Sequence, residues 1–180
     1  MARKKYARDY RLNESLDERG RIRTEAEYIG VYYRYVSGTE AARSALKTLL
    51  RMMVLAWALF LCSLLPHSTA SLTMYVMLPY LFAALPLGMM TAALLQLRAA
   101  GERLDHCTAD LAGERVPACC LWLLLLAGVS LLGEGIALCF GPGRFLPGDA
   151  VFLFCAIGIG LCGWFGRRKC PALATVPEDR

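Results

Sequence analysis

Apolar residues dominate the chain from residue 52 to residue 166, with short polar or Gly/Pro-containing breaks, whereas the stretches before and after are densely charged. The breaks leave four apolar runs, at about 52–68, 72–97, 117–140 and 150–166. A helix rising about 1.5 Å per residue needs about 20 mainly apolar residues to cross ~30 Å of hydrocarbon. The run PACCLWLLLLAGVSLLGEGIALCF meets this with 24 residues, and Glu134 is its only ionisable side chain other than thiols. Pro117 is expected in the first turn of that helix, where a missing N–H costs nothing. The spacing predicts an all-α membrane protein, a four-helix transmembrane bundle in residues 52–166, whose first crossing, 17 residues, is at the short end for a span and ends near Pro66.

The charged N-terminal arm carries two other patterns. Arg21, Arg23, Glu25 and Glu27 alternate with Ile22, Thr24, Ala26 and Tyr28, a period of two that signals a strand. Tyr10, Leu12 and Leu16 repeat it more weakly, and Asp-Glu-Arg-Gly at 17–20 supplies a turn, so a small β-hairpin is expected over about 10–30. An isolated hairpin is marginal in water, so its apolar face should rest on lipid, on the bundle or on another protein. Tyr32, Tyr33 and Tyr35 follow, a cluster suited either to the headgroup zone or to a protein contact. Ser37-Gly-Thr-Glu40 then matches a capping box and should start a helix. Over 39–51 that helix sets Ala42, Ala45, Leu46 and Leu49 on one face and Arg43, Lys47 and Arg51 on another, as an interfacial amphipathic helix requires.

Within the bundle, Pro79 and Pro86 lie seven residues apart on nearly one face of the second crossing, which favours kinks and marks either a hinge or static packing. Leu97, Ala100, Leu104, Cys107 and Leu111 keep helical spacing, so that helix is expected to run on towards Gly113. In the fourth crossing Asp149 is placed to cap the helix, and Gly158, Cys162 and Gly166 recur every fourth residue. Small residues at this spacing let backbones approach closely, either to another helix of the chain or to a second copy in a homo-oligomer. The tail from Cys170, with two prolines, is expected to be disordered.

Charge adds orientation. Of 20 Lys and Arg, 12 fall in residues 1–51, three in 98–116, four in 167–180 and only Arg144 in 141–149. Four crossings put the first three segments on one side, which the positive-inside rule makes cytosolic. The plasma membrane is the expected location, with residues 1–38 as a cytosolic segment and 167–180 as a cytosolic tail. A net charge of +5 so distributed points to a lipid bilayer and not to nucleic acid. Six of the eight cysteines lie in apolar runs and no CxxC pair occurs, so free thiols are expected, with no metal or cofactor site.

Candidate chemistry is sparse. An ionisable group inside a crossing costs about 2.5–3.5 kcal/mol at the helix centre and marks a functional site by default. Glu134 lies six residues before Phe140, hence ~9 Å from that end, where the cost is smaller. Its candidate partners are Ser130, one turn earlier, and His67 and Arg144 from the outer ends. No HExxH, GxSxG or phosphate-cradling loop occurs. The expected function is therefore a non-catalytic accessory or scaffolding component of a membrane complex, docking a protein partner through the hairpin or tyrosine cluster. The alternative is a small transporter or channel subunit that uses Glu134.

Overall fold

The computed structural model describes residues 9–16, 22–66, 68, 73–101, 103–140 and 146–178. Strands β1 (Tyr10–Leu16) and β2 (Ile22–Tyr28) form the antiparallel hairpin, in register from Tyr10 opposite Tyr28 to Leu16 opposite Ile22. Its expected turn at 17–20 lies outside the described residues. A short strand β3 (Tyr33–Tyr35) leads into helix α1 (Thr39–Ser63). Helices α2 (Met74–Phe82), α3 (Ala84–Ala100), α4 (His106–Asp110), α5 (Val116–Phe140) and α6 (Pro147–Lys169) follow. A 3₁₀ turn, Cys170–Leu173, and strand β4 (Thr175–Pro177) close the chain.

Four helical stretches are long and apolar enough to cross a membrane: Thr39–Ser63, Met74–Ala100, His106–Phe140 and Pro147–Leu173. They form a closed ring in which α1 packs on α6, α6 on α5, α5 on α2 and α3, and α3 back on α1. Small side chains line the inside, among them Ala42, Ala45, Ala56, Ala93, Ala127 and Ala156. Large apolar ones, such as Val54, Met74, Leu132 and Phe154, point outward. All eight cysteines are free thiols, and five are buried. At one end of α5, the Cys120 thiol is hydrogen-bonded to Cys170, whose own proton goes to the Gly166 carbonyl at 3.3 Å.

Several boundaries differ from those read off the sequence. The interfacial segment 39–51 and the first crossing are one unbroken helix, and it stops at Ser63 rather than 68 because the residue before Pro66 is pushed out of the helical region. The capping box does not form. Gly38 itself is the N-cap, at φ +81°, a conformation glycine reaches without a Cβ clash, and no side chain caps the helix. Pro79 and Pro86 produce one break, at Ala83 between them, across which the backbone stays right-handed helical, so α2 and α3 make a single crossing.

That crossing ends at Gly101, whose φ of +75° terminates α3, and the expected continuation towards Gly113 does not occur. Residues 106–115 belong instead to the third crossing. They join it through a π-helical turn, Leu111–Arg115, in which the Val116 N–H reaches back to Leu111. Pro117 therefore lies inside a 35-residue helical run and not at its start, and the wider turn before it absorbs the missing N–H. In α6, Pro147 takes the first position. Asp149 acts from the third, its carboxylate accepting the Leu146 N–H at 2.8 Å, so it caps by reaching back and not as the N-cap residue.

The tail, expected to be disordered, forms a 3₁₀ turn and a paired strand over 170–177. β4 pairs antiparallel with β3, Tyr33 opposite Pro177 and Tyr35 opposite Thr175. On the other edge of β3, Tyr33 and Leu104 exchange both backbone hydrogen bonds, at 2.8 and 3.0 Å. Three segments far apart in sequence, 33–35, 104 and 175–177, thus meet at one end of the bundle. They fall one in each of the basic stretches 1–51, 98–116 and 167–180.

Candidate functional site

Two regions gather polar side chains, one at each end of the ring. The first surrounds the end of α5 that holds Glu134. Glu134 has no exposed surface, so its carboxyl faces the inside of the bundle and not its apolar exterior, and it takes part in a polar or electrostatic interaction there. Gly133 packs against Val76 of α2 closely enough that a Cβ at Gly133 would meet the Val76 side chain at 3.2 Å. Val76 lies one turn from Tyr80 on the same buried face, and the two helices are antiparallel, which puts Glu134 about 7–8 Å from the Tyr80 level along the axis.

At that level an aromatic cluster fills the ring. Tyr80 stacks on Phe60 at 5.2 Å and meets Phe152 at 4.9 Å, while Trp57 stands edge-on to Phe60 at 5.9 Å. The Ser63 hydroxyl donates to the Phe60 carbonyl at 2.7 Å. Its single proton is then used, so the Tyr80 hydroxyl donates to Ser63 across 2.6 Å. Ser130 is fully buried but turns back on its own helix, donating to the Leu126 carbonyl at 2.9 Å. His67 and Arg144, the other partners expected for Glu134, lie outside the described residues. Pro79 and Pro86 flank the break at Ala83, and Pro86 lines an apolar groove of about 400 Å³ between α3 and α5.

The second region is the junction at the basic end. His106 opens α4 and fastens the base of the hairpin. Its Nδ1 is 3.1 Å from the Asp9 carboxylate, its Nε2 is 3.9 Å from Asp110, and its ring stacks on Tyr33 at 5.6 Å. Its backbone N–H donates to the Tyr28 hydroxyl at 3.0 Å, and that hydroxyl donates in turn to the Val31 carbonyl at 2.9 Å. The Tyr28 ring folds over Gly30, where a Cβ would fall 2.5 Å from the phenolic oxygen. Burial pushes the Tyr28 phenol above its ordinary value, opposed by the His106 hydrogen bond and assisted by the charges of Asp9 and Asp105. Burial does the same to Tyr35. Tyr28, Tyr32, Arg103 and Glu178 border a cleft of about 310 Å³ beside the hairpin base.

The three tyrosines expected at a membrane or partner surface part company here. Tyr35, on a strand paired with β4 and packed against α1, is buried in the core and is not a surface residue. Tyr33 is half-buried under His106, and only Tyr32 stays exposed. Arg43, Lys47 and Arg51 are all exposed along α1. Of the small residues of α6, Gly166 fits against Cys120 and Leu49, Cys162 is buried, and Gly158 adjoins Leu59, so their neighbours are α1 and α5 of the same chain.

Sequence reasoning passed over three features. Gly163 packs α6 directly on the backbone of α5, where a Cβ would fall 2.8 Å from the Cys120 carbonyl oxygen and 3.1 Å from the Leu124 nitrogen. It was legible only as one more glycine outside the four-residue stripe. The His106–Asp9 pair spans 97 residues and leaves no local signal. Arg98 joins the α1 cations across a groove that only the tertiary fold creates. Comparison with protein-family models, with curated proteins and with solved structures finds no match for this chain.

Proposed function

We propose that the protein is a multi-pass integral membrane protein, a non-catalytic accessory or scaffolding component of a membrane complex, with the hairpin as its docking element. Lipid is the fitting solvent for its outward apolar belt, which is far larger than the few hundred Å² a water-soluble monomer usually exposes. The basic end then faces the cytosol of the plasma membrane, together with both termini.

One observation carries the docking role. The junction of Tyr28, Tyr33, His106 and Asp9 anchors the root of the hairpin, while β1 and β2 pair only with each other among the described residues. Two strands alone are marginal in water, and their free edges are templates for a further strand. A root held this firmly under a blade this thin suits a blade completed by a partner, through strand addition. Purification in mild detergent tests this reading. The intact chain should co-purify with a stoichiometric partner, and replacing residues 10–28 with a short Gly/Ser linker should release it while the bundle stays folded. A chain that purifies alone, or keeps its partner without the hairpin, contradicts the reading.

A second reading draws on the complete burial of Glu134, since a carboxyl inside a ring of crossing helices is the residue a proton or solute path would use. In that case the protein alone in liposomes moves protons or solute, and Glu134→Gln abolishes the flux with the fold unchanged. No flux from the intact chain removes this alternative.

A further inference from the structure

The groove between α1 and α3 at the basic end has a composition that the amphipathic pattern of α1 does not explain. It encloses about 390 Å³, and Arg43, Lys47 and Arg51 line one wall. Arg98, from the last turn of α3, lines the other. Leu46, Leu50 and Leu97 contribute apolar lining, and no acid is among the lining residues. Glu40 approaches Arg43 at 3.9 Å along the helix surface, which leaves Lys47, Arg51 and Arg98 as the cations deeper along the groove.

Their heights agree. The Trp57 indole N–H donates to the Thr91 hydroxyl at 3.0 Å, which fixes the relative level of the two antiparallel helices. Arg51 is six residues from Trp57 and Arg98 seven from Thr91, so both lie about 9–10 Å from that bond towards the basic end. Two guanidinium groups therefore face one groove from opposite walls at one level, with Lys47 a turn farther out. Guanidinium forks match phosphate oxygens, and their stems can lie along apolar surface while their heads reach the interface.

We infer that this groove is a binding site for one anionic phospholipid of the leaflet at the basic end, its phosphate held between the Arg51 and Arg98 heads where these reach up to the interface and its upper acyl chain lying below them along Leu50 and Leu97. A soluble phosphate would satisfy the cations but leave the apolar lining unused, which is why the lipid is the better occupant. Basic pockets between crossing helices on the cytosolic side are where headgroup recognition is expected. The site does not depend on the hairpin, so it stands or falls apart from the docking role.

Thermal unfolding of the purified full chain in a neutral detergent tests it, with added phosphatidylglycerol, phosphatidylcholine or glycerol phosphate. Phosphatidylglycerol should raise the midpoint by several degrees, and the other two should leave it unchanged. The double variant Arg51→Gln/Arg98→Gln should lose that response, whereas Arg168→Gln/Lys169→Gln, outside the groove at the same end, should keep it. Native mass spectrometry of the unaltered chain provides a readout that no variant can confound, and should retain one phosphatidylglycerol in preference to phosphatidylcholine. Equal shifts from both lipids, a full shift from glycerol phosphate, an unchanged response in Arg51→Gln/Arg98→Gln, or no headgroup preference in the mass spectra would each overturn the site.

Discussion

The helical ring and the junction at its basic end bury similar kinds of residue under different forces. In the bilayer proposed around the ring, lipid tails are as apolar as leucine, so burying a side chain there gains packing but little hydrophobic free energy. Small residues accordingly set the contacts, and at Gly163 α6 comes up against the backbone of α5 itself. At the junction, water is the competing solvent. Leu104 and Leu173 are fully buried there, and a sheet of three short segments closes over them. One region depends on shape, the other on exclusion of water, and substitutions should separate them.

The largest effect is expected at Gly163. Its neighbours are backbone atoms that cannot rotate away, so Gly163→Leu should prevent the ring from assembling, and even Gly163→Ala should cost about 1–3 kcal/mol by overpacking. Gly135 has open space where its Cβ would fall, and Gly135→Ala should be close to neutral. Unfolding of the purified variants in detergent distinguishes these outcomes. If Gly135→Ala and Gly163→Ala behaved alike, close packing would not be what holds the ring.

At the junction, Leu173→Ala should cost about 2–5 kcal/mol, the range for emptying a buried leucine site. That loss should appear as faster amide exchange in β3 and β4, with the four helices still protected. Uniform loss of protection throughout the chain would mean that the junction and the ring are a single cooperative unit. Tyr80→Phe removes one buried hydrogen bond inside the aromatic cluster and should cost about 0.5–1.5 kcal/mol, measured by the same unfolding assay. Ser63→Ala, which removes the acceptor, should not add its full effect to that of Tyr80→Phe.

The smallest effect is expected from pH. Tyr28 and Tyr35 have pKa values raised above 10.0 in the folded chain, so their burial favours the neutral phenol. That contribution is complete below pH 10 and is lost as pH rises through the raised folded values. Exchange in β3 should therefore accelerate above pH 10 in the intact chain, and less so in Tyr28→Phe. An alkaline response identical in both would place the titrating group elsewhere.

These regions also differ in how far the sequence exposed them. Four apolar runs and a period of two in residues 21–28 are local patterns, and the four long apolar helices and the hairpin follow them. The stripe of Gly158, Cys162 and Gly166 likewise pointed at close packing in α6, yet it is Gly163, one residue beyond Cys162, that meets the backbone of α5. A four-residue repeat names a face and not the residue at which two axes come nearest. The junction was illegible for a different reason. Three residues of β3, three of β4 and the single residue Leu104 carry no periodicity, and only their convergence in space makes a sheet. His106 carries no local signal in the sequence, because Asp9 and Tyr33 reach it through tertiary contacts alone. Gly101 and Gly113 show the same limit, since helical spacing runs past both and backbone conformation alone decides that the first ends a helix and the second sits inside a π turn.

A cleavable tag at each terminus, probed with protease in sealed membrane vesicles of known orientation, tests most directly whether four crossings leave both arms on one face. Both tags should be cut when the cytosolic face is outward and both protected when it is inward. Tags cut from opposite compartments, or a chain washed from the vesicles by alkaline carbonate, would contradict it.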